Sequence, residues 1–236
     1  KARWEYLNAH SKDSNIGQII DEALEEIEKE NPTLKGVLIK NYNSPDYRNV
    51  NLGELIDLFT NIKLGSKEAQ DKEVMLKYIE QNEDVLTRNN EIAHFTTSAW
   101  ITNKTRDKIL MIYHNIYDSW AWVGGHADGD EDLLHVAKKE TEEETGVTNL
   151  IPISEGIYGL NIITVDNHIK RGKQVNSHLH FDIEYVFESD DTIELQIKED
   201  ENSGVKWIPI DEINNYSKEL KMHPIYERLS KKLKEL

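Results

Sequence analysis

Residues 120–147 constrain the fold more than any other stretch, because they dictate strand, glycine turn and helix in immediate succession. Residues 120–123 read as a strand that Gly124-Gly125 stops, and the helix that follows ends at Gly146. Asp128 or Asp130 is placed to cap this helix, Glu131 and Asp132 suit its positive end, and Gly146 suits the left-handed position beyond the last turn. Leu133, Leu134, Val136 and Ala137 give the helix an apolar side.

On the same helix Glu140, Glu143 and Glu144 stand at i, i+3 and i+4, so three carboxylates converge on one face. Each like-charge pair costs about 0.2–0.5 kcal/mol, and more where water is partly excluded. A hard divalent ion such as magnesium, which prefers carboxylate oxygens and is commonly completed by substrate phosphates, reverses that sign. Read alone, an acidic run is more often a solvated helix face.

Helical periodicity places one helix from Ile16 to Ile27, ended by Asn31-Pro32. A second carries Leu52, Leu55, Ile56, Phe59 and Ile62 and stops at Gly65, and a third carries Val74, Met75, Tyr78 and Ile79. After Asn90 the texture turns to strands at 94–101, 108–113, 150–165, 175–187 and 205–208, and an amphipathic helix begins at Pro224. Strands flanked by helices imply a layered α+β fold, here divided into a helical segment, 1–65, and a larger domain, 66–236.

Composition excludes several classes. The chain has no cysteine, which removes disulfides, thiolate metal sites and a cysteine nucleophile. The formal net charge of −16 disfavours direct binding to nucleic acid, and no apolar run is long enough to span a membrane. Lys1-Ala2-Arg3-Trp4 lacks the apolar core of a signal peptide, so a cytoplasmic setting is expected.

The spacing of Gly125, Glu131, Glu140, Glu143, Glu144, Gly146 and Val147 resembles the Nudix signature. The likeness extends over about 66–236, including His94-Phe95-Thr96 and the strand from His178. Lys139 stands where that signature usually has arginine, and Thr141 where it usually has an aliphatic residue. Lysine keeps a charge that can pair with Glu143 but loses the planar fork of arginine.

The resemblance implies an αβα sandwich with a mixed sheet, and hydrolysis of a diphosphate linkage in a nucleoside diphosphate joined to another moiety. It implies Mg2+ or Mn2+ held by Glu140, Glu143, Glu144 and the Gly125 carbonyl, with Glu131 supporting the helix. Gly124, Gly125, His126 and Lys139 are expected to meet the substrate. Glu143, Glu144 and Glu201 are the expected catalytic residues, Glu201 being the candidate general base; a plain charged turn at 199–201 is the other reading. His126 is placed either for a phosphate contact or as a turn residue. His180, Asp182 and Glu184 share one strand face, expected to serve solvent or supporting roles. Trp120 and Trp122 are expected in core packing.

Arg3-Trp4-Glu5-Tyr6-Leu7, Asn31-Pro32-Thr33-Leu34-Lys35-Gly36 and Leu52-Gly53-Glu54-Leu55 resemble the helical N-terminal region of type I restriction-modification methyltransferase subunits, over about residues 2–64. That likeness implies assembly with other restriction-modification subunits, although neither an Asn-Pro-Pro-aromatic motif nor a glycine-rich methyl-donor loop is present. The alternatives to a hydrolase are a nucleotide-binding module without turnover and a restriction-modification assembly partner. An isoprenoid diphosphate isomerase, a relative with the same fold, resembles chemistry that requires a cysteine.

Overall fold

The computed structural model describes residues 65–236, apart from Glu83, Glu155 and Arg171. The two helices expected within 1–64 lie outside the described residues. Helix α1, Ser66–Gln81, buries Met75 and Ile79, whereas Val74 is exposed and off the apolar stripe. Gly65 is the N-cap of α1, and its N–H donates to Glu68 Oε2 at 3.0 Å.

Among the described residues, ten strands and three further α-helices follow α1. They are β1 (Ala93–Asn103), β2 (Lys108–His114), β3 (Ser119–Ala121), β4 (Val123–His126), α2 (Leu133–Thr145), β5 (Ile151–Pro152) and β6 (Gly159–Val165). Then come β7 (His168–Lys170), β8 (Lys173–Val175), β9 (His178–Ser189), β10 (Asn202–Pro209), α3 (Ile213–Tyr216) and α4 (His223–Lys234). The main sheet is ordered β10-β2-β1-β9-β5, with β3 on β2, β4 on β1 and β6 on β9. It is mixed, since β1 and β9 are parallel along their length while the other pairs are antiparallel.

Two expected strands prove to be composite. The run before the glycines divides at Trp122, because β3 pairs with β2 and β4 crosses to pair with β1. The run expected at 150–165 is interrupted between β5 and β6, where Tyr158 turns into the core and its hydroxyl donates to Leu229 O at 2.6 Å. Gly159 follows because an added Cβ would lie 2.0 Å from Glu184 Oε2.

The alternation of β1 and β9 divides the interior in two. Phe95, Ala99, Phe181 and Ile183 pack with Met75, Ile79, Leu133 and Ala137 of α1 and α2. Trp100 and Val186 face the other way and pack with Tyr226, Leu229 and Leu233 of α4. The sheet is therefore covered on both faces, as the αβα expectation required. No helix among the described residues is long and apolar enough to cross a membrane.

Candidate functional site

Helix α2 is fixed at both ends by local chemistry. Asp132, rather than Asp128 or Asp130, is its N-cap, accepting from His135 N at 2.9 Å. Asp130 instead accepts from Asp132 N, and Asp128 is held by Arg88 through two hydrogen bonds of 2.8 and 2.7 Å. Gly146 closes the helix at φ 75°, where its N–H donates to Glu142 O. Thr141, at the position where an aliphatic residue was expected, is buried and donates to Ala137 O at 2.8 Å, so no polar atom is stranded.

Gly124 and Gly125 do not stop the strand: they continue β4 opposite Ser98 and Thr97, because without side chains they pass close to β1 and α2, and there they meet the carboxylates of α2. Gly124 N donates to Glu144 Oε2 at 3.1 Å. A Cβ on Gly125 would fall 2.4 Å from Glu140 Cδ, so the missing side chain is the space that Glu140 fills. Gly124 has a different reason to be glycine, since a Cβ there would lie 2.4 Å from the backbone oxygen of Thr97 on β1.

The three environments differ. Glu144 is buried, and loss of water pushes its carboxyl up to about 8 despite the Gly124 hydrogen bond. Burial likewise raises Glu140 above the usual carboxylate range. Glu143 is exposed and held below it, chiefly by a hydrogen bond from Lys198 Nζ at 2.9 Å. Lys198 also reaches Glu201 at 3.0 Å. Burial works against the Lys198 charge, but its bonds to Glu143 and Glu201 outweigh that and hold it above the usual range. Lys139 pairs with Glu143 at 3.7 Å and Glu140 at 3.9 Å, the pairing expected one turn along the helix.

These groups line one cleft of about 310 Å³. It contains Gly124, Gly125, His126, Lys139, Glu140, Glu143, Glu144 and Glu201, every residue expected at the site. Glu131 is exposed and is not among its lining residues. The residues fit a divalent cation: three carboxylates on one helix turn, one of them buried, are made favourable by positive charge that Lys198 only partly supplies.

Several cleft residues escaped the sequence reading. Arg88 precedes the first strand of the sheet and Lys198 lies in the loop before β10; only the position of Lys198 three residues before Glu201 signalled a role. Of the solvent and supporting roles expected for Asp182 and Glu184, burial excludes solvent. Both are buried; Asp182 accepts from Thr96 Oγ1 at 2.6 Å and Ser98 Oγ at 3.0 Å, and burial raises its carboxyl to about 6. His126 is not a turn residue but the end of β4, opposite Thr96, and its ring lies among those of His94 and His180. Burial lowers His180 to about 3 and takes His126 further down, so both rings are neutral. Trp122 packs on Tyr226 as expected but also borders the cleft.

Comparison with known proteins matches residues 93–233 to the NUDIX domain family and residues 1–59 to the HsdM N-terminal domain family. The RNA pyrophosphohydrolase of Pelagibacter ubique (strain HTCC1062) is 31% identical over 123 residues, which cover 50% of this chain and 75% of that protein. Among solved structures, a NUDIX family hydrolase from Clostridium perfringens aligns with a TM-score of 0.41 and 20% identity, covering 60% of this chain and 96% of that one. An Ap4A hydrolase from C. elegans aligns with a TM-score of 0.43 and 18% identity, covering 60% and 98%.

Proposed function

The chain belongs to the NUDIX family, and from that premise we propose that it is a Mg2+- or Mn2+-dependent pyrophosphohydrolase acting on a nucleoside diphosphate linked to another moiety. The observation that carries this reading is the gathering of Glu140, Glu143, Glu144 and Glu201 around Gly124-Gly125 of β4 in one cleft. Glu140, Glu143 and Glu144 would hold the cation, with the Gly125 carbonyl as a further oxygen. When bound, the cation neutralises diphosphate charge and lowers the pKa of water.

The protein's own groups supply the rest. Gly124 N–H fixes the Glu144 carboxyl. Lys139 and Lys198 bring positive charge to the cleft wall, where diphosphate oxygens would replace the carboxylates as their partners. Glu201 takes the proton of the attacking water; water oxygen bonds to phosphorus as the bridging P–O bond breaks, and two phosphorylated fragments leave.

The name of the Pelagibacter ubique relative, RNA pyrophosphohydrolase, adds RNA carrying a diphosphate linkage to the candidate substrates. The test is a panel of such RNAs and of nucleoside diphosphates joined to a sugar, a second nucleoside or a coenzyme, each with Mg2+ or Mn2+. Metal-dependent release of a phosphorylated fragment, lost in Glu143→Gln and Glu144→Gln, is expected. No turnover across the panel by folded protein overturns the catalytic reading and leaves a nucleotide-binding module.

A second reading concerns residues 1–65, proposed as an accessory unit beside the catalytic domain of 66–236. The HsdM N-terminal match over 1–59 supports assembly with type I restriction-modification subunits. Co-purification of the full chain with those subunits tests it, and loss of the association on removing 1–64 with hydrolysis retained is the expected result.

A further inference from the structure

We infer that His94, His126, His178 and His180 form a second metal site, for a zinc-class transition ion, separate from the carboxylates of α2. Their candidate ligand nitrogens all lie within 4.8 Å of one another. Ring centroids are 5.1 Å apart for His94 and His126, 4.9 Å for His94 and His178, and 4.8 Å for His126 and His180.

The histidines come from three adjacent strands. His94 on β1 is in register with His180 on β9, His178 is two residues earlier on the same face, and His126 ends β4 opposite Thr96, two residues along β1 from His94. Rings carried on paired strands are held with little freedom, which suits a preformed metal site better than rings on loops.

The hydrogen-bond pattern points inward. His94 Nδ1 bonds to Asn90 O at 2.9 Å and His178 Nδ1 bonds to Asn176 O at 2.8 Å. A carbonyl can only accept, so each Nδ1 carries the proton and each Nε2 presents a lone pair. Histidine ligands are commonly oriented in this way, the far nitrogen being tied to a backbone carbonyl. His94 is only 4% exposed, yet its Nε2 has no hydrogen-bond partner. A buried acceptor left unmet costs about 1–3 kcal/mol, which a metal ion at that nitrogen would relieve. His180 Nε2 donates to His178 Nε2 at 3.1 Å, a bond that an ion would replace with loss of the His180 proton, and that spacing is close to the roughly 3.3 Å between neighbouring ligands around a tetrahedral zinc ion. The wider pairs need to close by about an ångström or somewhat more.

Ligand chemistry separates this site from the first. Imidazole suits zinc, cobalt or nickel, whereas magnesium prefers carboxylate oxygens. Arg88, the nearby guanidinium, is neutralised by its two bonds to Asp128, and Glu91 lines the same cleft. Since His126 and His180 border both clefts, an ion here would stiffen the wall of the diphosphate cleft by tying β1, β4 and β9 together.

Tag-free full-length protein, in excess Mg2+, should be titrated with Co2+ and followed by visible absorption, with native mass spectrometry for stoichiometry. One Co2+ with the intense band of tetrahedral nitrogen coordination, displaced by Zn2+, is expected. His94→Gln and His178→Gln should each weaken binding by about a hundredfold or more, while Glu143→Gln and Glu144→Gln leave it unchanged. His178→Gln guards against a folding failure of the more buried His94 variant, and circular dichroism checks both. No Co2+ uptake by folded protein, or uptake lost with the glutamates rather than the histidines, overturns the site. None of these readouts depends on hydrolysis.

Discussion

Glu144 combines burial, a single main-chain hydrogen bond and two acidic neighbours, Glu140 and Glu201, which together make its charged form unfavourable without a cation. Glu144→Gln should therefore lower turnover by about 10²–10⁴-fold in a steady-state assay while leaving the unfolding midpoint equal or higher, since a neutral group replaces a desolvated one. Lys198 plays the opposite part, neutralising Glu143 and Glu201 from one ammonium group. Its removal in Lys198→Ala should tighten Mn2+ binding in the absence of nucleotide, measured by calorimetry, because the carboxylates lose their internal counter-charge. Weaker Mn2+ binding would show that Lys198 orders the site instead.

At the scale of elements, the two adjacent glycines within β4 answer to different constraints. Gly124→Ala sets a methyl group against the backbone oxygen of β1, which cannot move without disturbing the sheet, so a loss of about 1–3 kcal/mol in chemical denaturation is expected. Gly125→Ala meets only the Glu140 side chain, which can swing away. Stability should change less, but a displaced carboxylate should reduce turnover by about a hundredfold. Equal effects of both substitutions on stability and rate would contradict this division.

Across the molecule, a buried charged chain ties the first and last described helices to the sheet. Glu68 of α1 meets Lys232 at 3.1 Å and Arg228 at 3.4 Å, both on α4, and Arg228 reaches Glu184 of β9 at 3.6 Å. Glu68→Ala should lower the unfolding free energy by about 2–3 kcal/mol, below the value for a fully buried pair because both cations retain some water. Glu184 gives this network a pH dependence. Burial, then the charge of Asp182 beside it, raises its carboxyl above the usual range, while Arg228 and the Asn161 amide oppose that and Glu68 adds to it. A carboxyl raised in the folded state adds stability that is complete below its unfolded pKa, near about 4.3, and is lost as pH rises through the folded value. Denaturant titrations should show stability falling as pH rises from about 4.3 towards the folded value, by up to about 1.4 kcal/mol per pH unit for one proton, and Glu184→Gln should flatten the slope.

What could be read from the chain alone was governed by short-range periodicity and spacing. Glu140, Glu143 and Glu144 share a face because a helix repeats every 3.6 residues, and Gly146 ends that helix at a positive φ, so the carboxylate cluster needed no knowledge of the fold. The sequence also marked β1, β2, β9 and α4 closely, since their apolar patterns match the sheet faces and helix side they bury. Only tertiary structure decided the long-range pairings. Asp182 and Glu184 alternate along β9 as exposed residues would, and their burial follows from β1 and β6 on either side and from α4, which brings Arg228 to Glu184. Lys198 joins Glu143 from 55 residues away, and His94 meets His180 only because β1 and β9 pair in that parallel register. Strand order and register depend on contacts between segments far apart in the chain, which no local pattern encodes.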